Sequence, residues 1–282
     1  MKKVSCTVLF CSLMFQVLAQ TDSLRRAAPA DEVSAPRSVF TLGTIYGNTE
    51  NYYGQSPQEK FPYLLFYAGY KSKGGISVST SAEKLLSSGT GIAVMDLYTG
   101  YSFNFTKKLA GSFGYSRYFY QKDSPLLGTA NKNNLNSNLN YQWFLKTGLN
   151  ANYSFGNQND VFLSFRNSKM IDLGSLFSKK DYISIEPAID AIAGTGYFYD
   201  NYTVRINDRR QARNLPPAPP PPARMQSSSF GILAYTFSLP VAYNRASYTV
   251  EATYQGSVQG NKFSSETNKP VSIVNLAFYY AF

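Results

Sequence analysis

The chain has no histidine in its 282 residues. That one absence removes His-based triads, His general bases and His-ligated metals. Cysteine is nearly as scarce, with two residues, Cys6 and Cys11. Charge is thin as well: Asp, Glu, Lys and Arg make up 16% of the chain, where an average soluble domain carries about a quarter. Apart from the extreme N-terminus, no apolar run reaches the roughly 18 to 20 residues that a spanning helix needs. Aromatic residues fill the space instead, with 23 Tyr and 20 Phe. The charge that remains is basic, 27 Lys and Arg against 17 Asp and Glu, a net of +10. A basic chain invites a nucleic-acid reading. Here the basic residues are dispersed and the aromatics follow a strand pattern, so no nucleic-acid partner is expected.

The N-terminus reads as a processing segment. Met1-Lys2-Lys3 is a basic start, residues 4–18 are largely apolar, and Val17-Leu18-Ala19 precedes Gln20. This is the layout of a secretory signal peptide over residues 1–19. Its removal takes away two lysines and both cysteines, leaving 25 basic against 17 acidic residues, a net of +8. The exported chain is then free of thiols, disulfides and Cys-bound metals, and no cofactor is expected. Residues 20–37 are polar, rich in Ala and Pro and mixed in charge, which suits a flexible lead-in. Residues 38–282 form the remaining domain.

That domain alternates with a period of two. From Leu139 to Phe155, the odd positions include Leu139, Tyr141, Trp143, Leu145, Leu149, Tyr153 and Phe155. The even positions include Asn140, Gln142, Lys146, Asn150, Asn152 and Ser154, with Phe144 among them. Read as one strand, 138–155 is far longer than the usual five or six residues. A tilted strand crossing a bilayer has that length and that two-faced character. The same split recurs over 246–258, where Tyr248, Val250, Ala252 and Tyr254 oppose Thr249, Glu251, Thr253 and Gln255. The final segment places Leu276, Phe278, Tyr280 and Phe282 on one face.

This last strand, taken with the signal peptide and the alternation, resembles the closing strand of bacterial outer-membrane β-barrel proteins. The Tyr-, Asn- and Ser-rich strands and the Gln after the cleavage site look most like barrels of the Bacteroidota. The resemblance covers roughly residues 38–282. It implies an all-β, antiparallel, up-and-down transmembrane barrel. It further implies that the barrel-assembly machinery reads Leu276, Phe278, Tyr280 and Phe282, and that outer-membrane lipid surrounds the wall. Enzymatic barrels such as outer-membrane phospholipases, lipid A acyltransferases and omptin-type proteases use a histidine, so an enzyme is not expected here.

Twelve strands are expected near 38–47, 61–72, 75–83, 91–105, 109–121, 138–155, 160–170, 182–192, 196–207, 228–240, 246–259 and 270–282. Barrels of this class keep their termini in the periplasm, with short turns on that side and longer loops outside. Counting back from Phe282 puts short turns at Ala242–Arg245, Ala193–Thr195, Gly156–Asn159, Thr106–Lys108 and Lys73–Gly74. Long outside loops then fall near 260–269, 208–227, 171–181, 122–137, 84–90 and 48–60. Two aromatic girdles are expected. Phe103, Phe105, Tyr153, Phe155, Phe237, Tyr280 and Phe282 would mark the periplasmic side, and Tyr141 and Trp143 the outer side. The ten residues from Trp143 to Tyr153 would span roughly 26 Å of height.

Inward charges are expected at Asp96, Lys146, Arg166, Glu186, Asp190, Arg205 and Glu251. Four are acidic and three basic, which suits a mixed polar lining. Glu186 and Asp190 are separated by about 13 Å along a strand, too far to share a proton. Inward aromatics are expected at Tyr98, Tyr118, Phe144, Tyr197 and Tyr199. The loop at 208–227 combines a polyproline stretch (Pro216 to Pro222, interrupted by Ala218) with Arg209, Arg210, Arg213 and Arg224. Such a run cannot join a sheet, and its guanidinium groups suit lipopolysaccharide phosphates. Two functions follow. One is a pore or transporter for small solutes. The other is a non-conducting barrel that serves as a structural or interaction subunit of an envelope complex, whose protein partner the residues do not name.

Overall fold

A computed structural model describes residues 37–49, 51, 53–54, 62–86, 91–121, 131–156, 159–195, 230–260 and 270–282. The alternation becomes fourteen strand segments in one sheet. In chain order they are β1 (Val39–Gly47), β2 (Tyr63–Lys71), β3 (Ile76–Leu85), β4 (Val94–Asn104), β5 (Leu109–Tyr120), β6 (Asn133–Gln142) and β7 (Lys146–Phe155). Then come β8 (Asp160–Ser168), β9 (Ile171–Gly174), β10 (Asp181–Ile185), β11 (Ala188–Gly194), β12 (Gly231–Arg245), β13 (Tyr248–Gln259) and β14 (Val271–Ala281). Two wall strands are interrupted. β8 runs on into β9 across Lys169-Met170, and β10 into β11 across Glu186-Pro187. The wall therefore has twelve strands. Every neighbouring pair is antiparallel, and β1 closes on β14 from Thr41↔Ala281 to Gly47↔Asn275.

Closure gives every central strand two partners and removes the sheet edge. The exterior is apolar: Leu97, Phe113 and Ile189 are each more than half exposed. The interior face of the same strands is polar or tightly packed. Unpaired backbone groups cannot be hydrated in hydrocarbon, so only helices and closed barrels cross a membrane. This is a transmembrane barrel of the bacterial outer-membrane type, and lipid surrounds its wall.

The expected count of twelve holds, although two of its strands do not. The run 138–155 is not one strand. It is the hairpin of β6 and β7, turning at Trp143-Phe144-Leu145 and closed by Trp143 N–H donating to Leu145 O at 2.9 Å. A three-residue turn keeps Gln142 and Lys146 on the same face. The alternation passes through it unbroken, and no glycine or proline marks it. The expected strand 196–207 lies outside the described residues, as do residues 208–229. β11 pairs directly with β12 and with β8, so both its edges are taken. One strand is gained at 138–155, and none stands between β11 and β12. Smaller shifts follow: 182–192 breaks at Pro187, and β12 runs through the expected turn 242–245 to turn at Ala246-Ser247.

These changes also exchange parts of the two rims. On the rim that carries the termini, the turns are Ser72–Gly75, Phe105–Lys108, Trp143–Leu145, 175–180 and Ala246–Ser247. Gly156–Asn159 and Thr195 therefore belong to the far rim, and the 171–181 region belongs to the terminal rim. Tyr153 and Phe155 accordingly mark the far rim, with Tyr141 and Trp143 at the terminal one, the reverse of expectation. Phe237 sits midway along β12. Phe103, Phe105, Tyr280 and Phe282 stay at the terminal rim, where Tyr280 and Phe282 meet edge-on at 4.7 Å. The strands flanking 196–229, β11 and β12, end at the far rim. Two displaced assignments cancel there.

Prolines mark the interruptions. Pro187 and Pro240 offer no N–H to the ladder. They occupy adjacent strands at one level, and Glu186 N–H donates to Pro240 O at 3.2 Å. On the other side Lys169 N–H donates to Pro187 O at 3.2 Å. The interruptions of β8/β9 and β10/β11 thus line up with Pro240 of the unbroken β12, so the missing donors fall where two of the three strands already part.

Candidate functional site

The lumen has two unlike halves. Along β1 to β5 and β14 it is packed with Ile45, Tyr63, Leu65, Tyr67, Leu85, Val94, Tyr98, Tyr118 and Tyr279, all buried. Glycines make room for the rings. Gly43 faces Tyr279 across the β1–β14 pair, and a Cβ there would lie 2.6 Å from the ring. Gly100 and Gly114 pair with each other, and Tyr98 lies across both. Tyrosine laid over glycine restores the packing that glycine lacks in a strand.

From β6 to β8 and across β12 and β13 the lining is mainly amide and hydroxyl, with Phe162 and Leu233 buried among them toward the far mouth. β6 turns Asn134, Asn136, Asn138 and Asn140 inward, and β7 adds Asn150 and Asn152. Asn140 Nδ2 donates to Asn138 Oδ1, Asn138 Nδ2 to Asn150 Oδ1, and Asn150 Nδ2 to Ser164 Oγ at 3.2 Å. This chain of bonds crosses three strands. Asn138, Asn140, Asn150 and Ser164 keep partial exposure, so the polar half opens toward the lumen's interior.

Of the charges expected inside, Asp96, Arg166, Asp190 and Glu251 face inward on their strands. Arg166 Nη1 meets Asp190 Oδ2 at 2.8 Å. Arg166 Nη2 also donates to Ser238 Oγ at 3.3 Å, and Thr236 Oγ1 donates to Asp190 Oδ2 at 3.2 Å. Glu186 sits at the Pro187 break and accepts from Ser168 Oγ at 2.7 Å. Glu251 accepts from Thr253 Oγ1 at 2.9 Å. Lys146 lies at the terminal rim. Glu186 and Asp190 have separate partners and do not act as a carboxyl pair. Phe144 is not an inward aromatic; it is exposed in the β6–β7 turn. Arg205, Tyr197, Tyr199, Arg209, Arg210, Arg213 and Arg224 lie outside the described residues. Leu276, Phe278, Tyr280 and Phe282 are on the exterior.

The Arg166–Asp190 pair is mostly desolvated, so losing one member leaves the other without its partner. Arg166→Gln is expected to lower stability to urea by about 1.5–3 kcal/mol, the range for a hydrogen bond to a charged group. The double change Arg166→Gln with Asp190→Asn should recover much of that loss. Unfolding midpoints in detergent would check it, and equal losses in the single and double variants would contradict the coupling.

Sequence reading missed two inward acids, Glu83 and Asp160, both buried. The signal was present. Glu83 continues the parity of Ser77, Ser79 and Ser81, and Asp160 that of Phe162 and Ser164. Each stands at a strand end, where alternation is hardest to extend.

The feature with no sequence signal is at the far mouth. Residues of the β1–β2 connection fold inward, and Thr49, Asn51 and Tyr53 are buried. The Tyr53 ring stacks on Phe162 of β8, centroids 3.8 Å apart and planes 18° from parallel. Counting round the wall, β1 and β8 are five strands apart one way and seven the other, so this contact spans the mouth. Tyr53 has φ +46° and Gly54 φ +82°. The non-glycine value carries backbone strain of order 1–3 kcal/mol, which persists only where the surroundings hold it. Gly54 O accepts from Ser257 Oγ of β13. A Cβ at Gly54 would strike Ala234 and lie 3.0 Å from Thr236 Cγ2. Glycine is needed there both for its φ and for the close approach.

At the terminal rim, Asp181 ties down the β9–β10 turn. It accepts from the N–H groups of Leu176 and Phe177, from Ser178 Oγ and from Tyr243 Oη.

No family model matches the chain, and no curated protein matches it. Among solved structures it is similar to the KdgM porin, at 8% identity over 86% of this chain and 99% of that one, with a TM-score of 0.47. It is similar to an outer-membrane channel from Pseudomonas putida F1 at 10% identity over 90% and 99%, TM-score 0.47. It is also similar to the NanC porin, at 8% identity over 85% and 98%, TM-score 0.46.

Proposed function

We propose that the protein is a pore for small polar solutes, held closed at its far mouth by Tyr53. The observation that carries this is the asymmetry of the lumen. On β1 to β5 the barrel fills its interior with packed rings. From β6 to β8 it keeps an open lining of amides and hydroxyls. Buried polar groups contribute little stability unless fully bonded, so such a lining suits passage better than scaffolding. No histidine serves the site, and transport without chemistry is the role assigned to it. In this reading the termini face the periplasm and the loop at 208–227 faces outward, with Arg209, Arg210, Arg213 and Arg224 toward lipopolysaccharide phosphates. The assembly machinery reads β14 through Leu276, Phe278, Tyr280 and Phe282.

The second reading, a non-conducting subunit of an envelope complex, draws on the filled aromatic half and the stacked mouth. Single-channel recording in planar bilayers separates the two. A pore gives rare, discrete openings in the parent protein. Barrels that shift on SDS gels when boiled, yet never conduct even after the Tyr53 contact is removed, would establish the non-conducting reading.

A further inference from the structure

We propose that the far half of the lumen holds a hard divalent cation, of the calcium type, on Asp96, Ser116 and Asn134, with Asn152 beside them. Four inward oxygens in this region have no hydrogen-bond partner among the described residues: Asp96 Oδ2, Ser116 Oγ, Asn134 Oδ1 and Asn152 Oδ1. All four residues are buried, with Asp96 and Asn134 at 0% exposure. An unmet buried acceptor costs about 1–3 kcal/mol, more if charged, so a contiguous set of them calls for an occupant.

Strand register brings them together. Ser116 stands directly opposite Asn134 across β5–β6. On its other side Ser116 pairs with Tyr98, which places it diagonal to Asp96 across β4–β5. Asn152 pairs with Asn136 and is diagonal to Asn134. Opposite side chains start about 5 Å apart and diagonal ones about 7–8 Å. Tyr98 leaves the space clear, because its ring turns toward Gly100 and Gly114.

The chemistry selects the occupant. Asp96 already takes Ser81 Oγ at 2.7 Å on its other oxygen, and Asn134 uses its Nδ2 on Ser154 Oγ at 2.7 Å. What they leave is acceptor: a carboxylate oxygen and two amide oxygens, with a hydroxyl oxygen between them. Oxygen-only sets of this kind suit hard cations. Among the inward positions of β3 to β7 there is no arginine, and the one lysine, Lys146, is at the opposite rim. Asp96 is the one carboxylate among the three ligands, with Glu83 diagonal to it across β3–β4, and so few carboxylates place the affinity for calcium near the weak end, about 10⁻³ M.

The site lies against Tyr98 and Tyr118, so tyrosine-sensitised terbium emission reports it. The full barrel, refolded into detergent micelles, would be titrated with terbium chloride and then with calcium chloride. One saturable terbium per barrel, displaced by calcium, is expected. Asp96→Asn should weaken binding at least tenfold. Asn134→Asp, which adds a second carboxylate without removing the first, should tighten it at least tenfold. Asp172→Asn, in the exposed terminal-rim segment, should change nothing. If Asp96→Asn does not fold, Asn134→Asp decides alone. The proposal is overturned if the folded parent shows no calcium-displaceable emission, or if folded Asn134→Asp binds as the parent does.

Discussion

Tyr53→Ala is expected to raise the open probability of the barrel by about tenfold or more. An aromatic pair contributes about 0.5–1.5 kcal/mol beyond the area that it buries. Burying the tyrosine's 150–250 Å², at about 25 cal/mol per Å², adds about 4–6 kcal/mol. The strained φ of Tyr53 offsets about 1–3 kcal/mol of this. Even at the low end of these ranges the net hold on the closed mouth is therefore about 1.3 kcal/mol, and each 1.4 kcal/mol is a factor of ten. Phe162→Ala removes the other ring and should open the mouth similarly. The double variant should add little, because both changes remove one contact. Gly54→Ala is expected to act in the same direction, through its φ of +82° and the approach to Ala234. Single-channel recordings in planar bilayers give the open probability directly. If Tyr53→Ala folds into a heat-modifiable barrel and opens no more often than the parent, Tyr53 does not close the mouth.

The largest effect on folding is expected at a turn. Gly75→Val should strongly lower the yield of heat-modifiable barrel, while Gly74→Val, one residue away, should leave it intact. Gly75 has φ +94°, which side chains rarely adopt. A Cβ on Gly75 would also collide with the carbonyl oxygen of Ser102, and that contact is backbone, which cannot turn aside. Gly75 is moreover held on both sides: its N–H donates to Ser72 O at 3.0 Å, and Ser102 N–H donates to its carbonyl at 2.9 Å. Strain of about 1–3 kcal/mol joins an overpacking cost of similar size, against the 5–15 kcal/mol of a typical fold. Around Gly74 the nearest atom to an added Cβ is Ser72 Oγ at 3.8 Å. The band shift on unboiled SDS gels distinguishes the two variants. Equal assembly of both would show that the β2–β3 turn tolerates a changed path.

What local sequence decides here is the facing of side chains. Period-two alternation over 246–259 and 270–282 appears as β13 and β14 with nearly the same limits, because each residue's face depends only on its neighbours' pleat. The absence of histidine, the apolar face and the thin charge are likewise properties of the chain alone. Together they are enough for a closed, membrane-spanning wall. They do not decide where a strand turns if parity survives the turn. Trp143-Phe144-Leu145 shows this, since Gln142 and Lys146 stay on one face and the run reads as unbroken. Nor do they decide which alternating segments enter the wall. The sequence reading sets another strand between 182–192 and 228–240, yet β11 and β12 pair directly with each other. Register is a relation between strands, and closure a relation among all of them, so Arg166 finds Asp190 and Ser116 finds Asn134 only once the sheet has formed. The Tyr53–Phe162 contact is further removed still. It joins a connection to a strand on the other side of the mouth, and only the closed barrel brings those two rings within reach.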